Sequence, residues 1–395
     1  MQYISFYSFT ARIRMHIYVI QRLLPYLVQS MENALQRPKN ANDRASRDMF
    51  FDVVRKSTIS VGELFHAPTE DDLDDVLAIG KFIRTVDLAL EEANKAEDMN
   101  KFETLSKRIE WLINFAMSVG KVAMSQNDEK DILNGCHHVV NELGNLKEAI
   151  IRGNDIADLA LAKEVTKDFI EVTEQSVNSA LLRVIVLNLS QSNGPLDRLI
   201  HAVLSSDKSL PDRSSSDLQE VLNLADHHAD KMFHVANFCS FCTNDSNTAQ
   251  SIINSLHLAQ SLEEVLIPAC LKLYFSPGDV GARSQLKTLR QLWRSEIECI
   301  ESCILEIVDP TAFCVIAEAE ARRIASAVKK DQYSQDRNFL RCSVSQIVRL
   351  CQMAVDFAWK EMSSIPVCNS NGEDNNPENN GGVPNQLPED HPIIR

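Results

Sequence analysis

The chain has 395 residues, of which 44% are hydrophobic and 24% charged, and a net charge of −15. That apolar share suffices for a sizeable core divided among about two or three compact units, and the acidic balance disfavours general binding to the phosphate backbone of nucleic acid. Of 13 Pro and 12 Gly, five Pro and three Gly fall in the last 33 residues, and so sparse a supply of turn residues elsewhere excludes a sandwich, barrel or propeller of many short strands.

Residues 1–28 are apolar and carry no acid, but Arg12, Arg14, His16 and Arg22 interrupt every stretch long enough to span a bilayer. No small-residue cleavage site follows a clean apolar core, so a secretory leader is not expected. Two readings stay open: an amphipathic first helix or leader, and a membrane-surface helix in which Arg snorkels beside Phe6, Tyr7, Ile13, Ile17 and Tyr18.

Thr69-Glu70-Asp71-Asp72 places a cap and carboxylates at the positive end of a helix expected to run to about residue 97. Its apolar positions include Val76, Phe82, Val86 and Leu90. The spacing predicts further helices over 100–125 and 130–150. From Asn154 to Gln191 there is no Pro or Gly, which predicts a helix of roughly 55 Å, long enough to belong to two bundles at once.

Ser216-Asp217-Leu218-Gln219 reads as a capping box. The helix behind it carries Leu218, Leu222, Ala225, Ala229, Met232, Ala236 and Cys239 on one stripe, with a polar stop at Thr243-Asn244-Asp245. A helix from Ser246 passes Pro268 and stops at Ser276-Pro277-Gly278, and the next carries Leu286, Leu289, Trp293, Ile297 and Ile304 up to Asp309-Pro310. Such helices with short loops are antiparallel neighbours. Two more are expected over 311–330 and 334–362. The final stretch, 363–395, has seven Asn, five Pro and five acids, and this composition predicts a disordered tail.

The expected architecture is all-α, with consecutive antiparallel four-helix bundles sharing a long central helix. The expected divisions are 1–45 (apolar and basic helix or leader), 46–190 (helical bundle), 191–362 (second bundle) and 363–395 (acidic Asn/Pro tail).

The sequence contains no G-x-G-x-x-G, G-x-x-x-x-G-K-[ST], G-x-S-x-G or H-E-x-x-H. Ten scattered Cys read as reduced thiols, most at buried helix positions. One constellation, His227, His228, His234, Cys239 and Cys242, has residue types that suit zinc. Against zinc, Cys239 continues an apolar stripe and no second C-x-x-C follows. The acid run from Glu70 to Asp75 lacks the Gly and distal Glu of a calcium loop. Glu318/Arg322 and Glu320/Arg323 read as pairs on an exposed helix face.

Residues 225–328 resemble a known family. Ala225, Ala229, Met232, Val235, Ala236, Asn237 and Cys239 are similar to the "A-x-x-A-x-x-L-x-x-V-A-N-x-A-C" helix of the vinculin and α-catenin family. Leu289, Trp293 and Ile297 resemble its "F-x-x-x-W-x-x-x-V/I" helix, and Phe313 stands where the family has "F-L-x-x-x-E-x-x-I" after an acidic turn. The resemblance implies a non-enzymatic scaffold without cofactors, in the cytoplasm at the inner face of the plasma membrane. Its implied partners are cortical actin filaments, bound directly or through an adaptor, and junctional or membrane-associated proteins. The chain departs from the pattern by ending in an acidic tail where the family has an actin-binding bundle with a basic extension. Polar residues in the apolar faces, His228 and Asn237, suggest bundles that can open. The rival readings are a membrane-tethering adaptor that does not touch actin and a zinc-binding helical protein.

Overall fold

The computed structural model describes residues 2–66, 79–123, 125–153, 156–191, 194–204, 215–330 and 337–364. Every element among them is an α-helix, and they form two compact units, Met1–Ile307 and Val308–Arg395. The Thr69 cap, the acid run, and residues 365–395 of the expected tail lie outside the described residues, as do the side chains of Phe6, Tyr7, Ser216 and Asp217.

The first unit contains α1 (Gln2–Gln36), α2 (Ala41–His66), α3 (Lys81–Lys95), α4 (Met99–Val122), α5 (Gln126–Arg152), α6 (Ile156–Gln191), α7 (Gly194–Leu204), α8 (Ser215–Phe241), α9 (Ser246–Phe275) and α10 (Val280–Ile307). Helices α3 to α6 pack on one another as a four-helix group, while α1, α2, α9 and α10 form a second. Short turns make the pairs α1–α2 and α9–α10 antiparallel hairpins.

Helix α6 is the long helix expected from 154–191. Its C-terminal half is buried on every side, with Val177, Leu181, Leu182, Val184, Ile185, Val186 and Leu189 almost wholly removed from water. A helix that is apolar all round must have neighbours all round, and α6 packs on α3, α4, α5 and α8. Polar side chains in this stretch bond back along the helix: Asn188 Nδ2 donates to the Val184 carbonyl at 2.8 Å and Ser190 Oγ to that of Leu187 at 2.7 Å.

The structure differs from the sequence reading in two places. Of the helix expected from Thr69, residues 69–78 lie outside the described residues, and α3 starts only after Gly80, which adopts φ 61°. The Gly80 N–H donates to the Ser240 carbonyl at 3.0 Å, which pins the start of α3 to the end of α8. Residues 194–204, not expected as a helix, form α7 on α8 and α9. As expected, one helix ends before Asp309-Pro310 and another runs to Lys330; Asp309 Oδ1 accepts the Ala312 N–H at 2.8 Å and Pro310 takes the first helical position.

The unit boundary divides the chain differently from the expected segments. The expected boundary at 45/46 falls inside α2, that at 190/191 at the end of α6, and the expected 191–362 bundle contains the boundary after Ile307.

In the second unit, α11 (Pro310–Lys330) and α12 (Arg337–Ser364) pair, with Phe313 against Phe357 at 4.9 Å between ring centroids. Arg322 and Arg323 bond to Glu318 and Glu320 at 2.6 Å each on the exposed face.

Two glycines should respond oppositely to Ala. At Gly80 a Cβ would lie 2.8 Å from the Thr243 carbonyl oxygen, on a backbone in the left-handed region, whereas Gly62 inside α2 has nothing within 4 Å. Denaturant melts of Gly80→Ala should show a loss of about 1–3 kcal/mol, and Gly62→Ala a gain of about 0.5–1 kcal/mol.

Candidate functional site

Helix α8, which carries most of the family-like positions, joins the two helix groups of the first unit. Ala225, Ala229, Met232, Val235, Ala236 and Cys239 are buried. Toward α10, Phe233 meets Trp293 edge-on at 5.9 Å. Toward the α3–α6 group, Phe238 and Phe241 each lie 5.6 Å from Phe115 of α4, which stacks on Phe82 at 4.7 Å and on Trp111 at 5.5 Å. Lys81 Nζ sits 4.9 Å over the Trp111 ring. Such ring contacts each contribute about 0.5–1.5 kcal/mol beyond area burial. Trp293 and Ile297 of α10 are buried in the first unit, and Phe313 lies in the second.

Asn237 does not interrupt a buried face. It is exposed, and its carbonyl accepts from Ser240 Oγ at 2.7 Å. His228 is buried, and it borders a small hollow with Asp226, Glu263 and Trp293. The Trp293 indole N–H lies buried beside that hollow without a hydrogen-bond acceptor among the described residues.

The zinc constellation is not brought together. His227 and His234 are exposed, with His234 stacked on Phe238 at 6.3 Å. Cys239 and Cys242 are buried. Burial pushes the Cys239 thiol up to about 12 and the Cys242 thiol well above the ordinary range, which keeps both protonated. Among the described residues no group of three or more His, Cys, Asp or Glu is arranged to hold a metal ion.

The most connected polar cluster in the first unit was not legible as a site. Glu296 of α10 is 0% exposed, and its Oε1 accepts from Arg22 Nη2 at 2.6 Å and Nε at 3.0 Å. Its Oε2 accepts from the Tyr18 hydroxyl at 2.9 Å. Arg22 Nη2 also donates to Ser295 Oγ at 2.9 Å, and Tyr18 lies 3.5 Å from Ser255 Oγ of α9. Three helices thus meet at one buried carboxylate. Burial, with the Glu296 charge and hydrogen bond, pushes the Tyr18 hydroxyl up to about 12, while the neighbouring Cys303 thiol pulls the Cys299 thiol below its ordinary range.

A second polar feature lies between the same hairpins. Tyr26, Gln29, Ser30, Asn42, Asp43 and Gln285 line part of a hollow of about 140 Å³ between α1, α2 and α10. At its edge Gly281 lies so close to α2 that a Cβ would fall 2.0 Å from Asn42 Cβ.

These features hold helices in place. The comparisons agree with a packing role. A sequence model of the vinculin family matches residues 17–369. The chain belongs to the vinculin family. Its structure is similar to the M domain of HMP-1, with a TM-score of 0.58 and 15% identity over 72% of this chain and 79% of that one. It is also similar to a vinculin homologue from a sponge (phylum Porifera), with a TM-score of 0.67 and 15% identity over 90% of this chain and 44% of that one. The chain therefore spans less than half of the sponge protein's length. Proteins of the family are adhesion-linked cytoskeletal scaffolds, and no helix among the described residues is long and apolar enough to cross a membrane.

Two substitutions test the site. Arg22→Ala leaves Glu296 buried without its cation and should cost about 2–3 kcal/mol in denaturant melts, with Arg22→Ala/Glu296→Leu recovering much of the loss. Glu263 is raised from the ordinary 4.5 to about 7 by burial and by Asp226 and Asp230. The folded state therefore binds more protons than the unfolded one between those values, and this contribution is fully present below 4.5 and lost as pH rises through about 7. Glu263→Gln should raise Tm at pH 8 relative to the parent, and the difference should close at pH 5.

Proposed function

We propose that this chain is a non-enzymatic cytoskeletal scaffold that links the plasma membrane or adhesion machinery to cortical actin filaments, working at the cytoplasmic face of the membrane during adhesion or membrane invagination. The observation that carries this reading is the family match over residues 17–369, on a fold whose features are helix faces and interhelical clamps. Within the family, the divergent sequence most resembles an insect serendipity locus protein alpha, with α-catulin next. The partners are actin filaments, reached directly or through an adaptor, and junctional or membrane-associated proteins.

Long bundles suit this role mechanically. A helix held by a few polar contacts can leave its neighbours and offer its apolar face to a partner. Helix α1 has that form, with Val19, Leu23 and Leu27 buried and the Arg22–Glu296 pair as its polar anchor.

The test is co-sedimentation of the full chain with actin filaments. Trimming to residue 31 would remove the buried face of α1, so the intact protein is required. Saturable pelleting that weakens with added salt is expected, and absence of pelleting would overturn direct filament binding.

A further inference from the structure

Helix α1 is apolar on two faces, and only one is used inside the first unit. Val19, Leu23 and Leu27 face the core. Ile17, Leu24, Val28, Met31 and Leu35 lie between 40 and 79% exposed. At 100° per residue these five fall within a strip about 60° wide, running some 27 Å along the helix. The strip ends at the turn into α2, where Leu35 is followed by exposed Arg37 and Lys39 and then by Arg44; exposed Arg14 flanks its other end.

The charge of this hairpin is opposite to that of the chain. Residues 2–66 carry nine Lys or Arg against five Asp or Glu, a net of +4, in a chain of net −15. No acid precedes Glu32. A narrow apolar strip with cations at its ends matches the boundary between headgroups and acyl chains of an anionic bilayer, where apolar burial and attraction to negative lipid add. The rest of the helix stays locked by Arg22–Glu296 and by the buried Leu and Val, so contact requires no opening of the unit.

We propose that the exposed strip of α1, with the basic α1–α2 turn, docks this protein on anionic lipid bilayers, α1 lying along the interface. This rests on the reading of the chain as a link between membrane and actin cortex and names the surface that faces the membrane.

The test is co-sedimentation of the full chain with vesicles of phosphatidylcholine alone and of phosphatidylcholine carrying phosphatidylserine. The protein is expected to bind the anionic vesicles at least about tenfold more tightly, with the difference reduced by salt. Leu24→Glu/Val28→Glu should weaken that binding by about tenfold or more without changing the helical circular dichroism or Tm, because both positions are exposed. Arg37→Glu/Lys39→Glu should remove the preference for anionic vesicles. Val348→Glu, on the exposed apolar stripe of α12, should leave binding unchanged.

No binding to anionic vesicles, equal binding to both compositions, binding insensitive to Leu24→Glu/Val28→Glu, or loss with Val348→Glu instead would each overturn the proposal. So would self-association abolished by Leu24→Glu/Val28→Glu in a protein that ignores vesicles. Actin pelleting by the unsubstituted chain separates this from the scaffold reading: vesicle binding without actin pelleting refutes direct filament binding and leaves the docking surface standing, and actin pelleting without vesicle binding refutes the docking surface alone.

Discussion

The first unit is organised around the C-terminal half of α6, which has no face to give to water. From Val177 to Ser190 almost every side chain is buried, so the helix must be surrounded by others. That requirement recruits α3, α4 and α5 on one side and α8 on another. Because α8 in turn packs on α9 and α10, the two helix groups are bound through the contact of α6 with α8. The aromatic cluster of Phe82, Trp111, Phe115, Phe238 and Phe241 fills the place where they meet.

The polar anchors follow a consistent pattern. Glu296 with Arg22 joins helices distant in sequence and Asp128 with Arg183 joins α5 to α6, each through a buried carboxylate, whereas Asp197 with Arg290 is a half-exposed pair between α7 and α10. A buried ion pair adds little net stability over a well-packed apolar pair, but losing one partner is costly. Such pairs therefore fix which helix lies where more than they add to stability, and they make a helix hard to displace by degrees. In a scaffold that passes load between partners, resistance to small displacements with a defined failure point is a useful property. Arg22–Glu296 places such a point on α1, the helix whose outer strip also carries the surface inferred to meet the membrane.

Much of the architecture was legible in the sequence because its signals are local. The absence of Pro and Gly from 154 to 191 marked α6, and the period of Leu218 to Cys239 marked α8. The misreadings come from signals that are not local. The start of α3 after Gly80 depends on a contact with Ser240 and Thr243, some 160 residues away. Helix α7 is only 11 residues long and begins at Gly194-Pro195, which reads as a turn. Arg22 and Glu296 each read as a surface charge until folding brings residues 274 positions apart together. Asn237 sits one residue from a buried stripe, so its place in the family-like helix could not show whether it faced in or out. The stripe through Cys239 already set that cysteine among buried positions, and the structure buries Cys239 and Cys242 while leaving His227 and His234 exposed.

The central claim is that α6 and α8 make one cooperative body of the two helix groups. Hydrogen–deuterium exchange on the full chain tests it most directly, since two buried helices that hold the groups together should open only with global unfolding. The account predicts that the amides of 177–190 and 232–239 are the slowest to exchange, with matching protection, while 156–165, where Ile156 and Leu161 are exposed, exchange sooner. Exchange of 177–190 as fast as 156–165, or loss of protection in 232–239 while 177–190 stays protected, would show two groups that open independently and would contradict it.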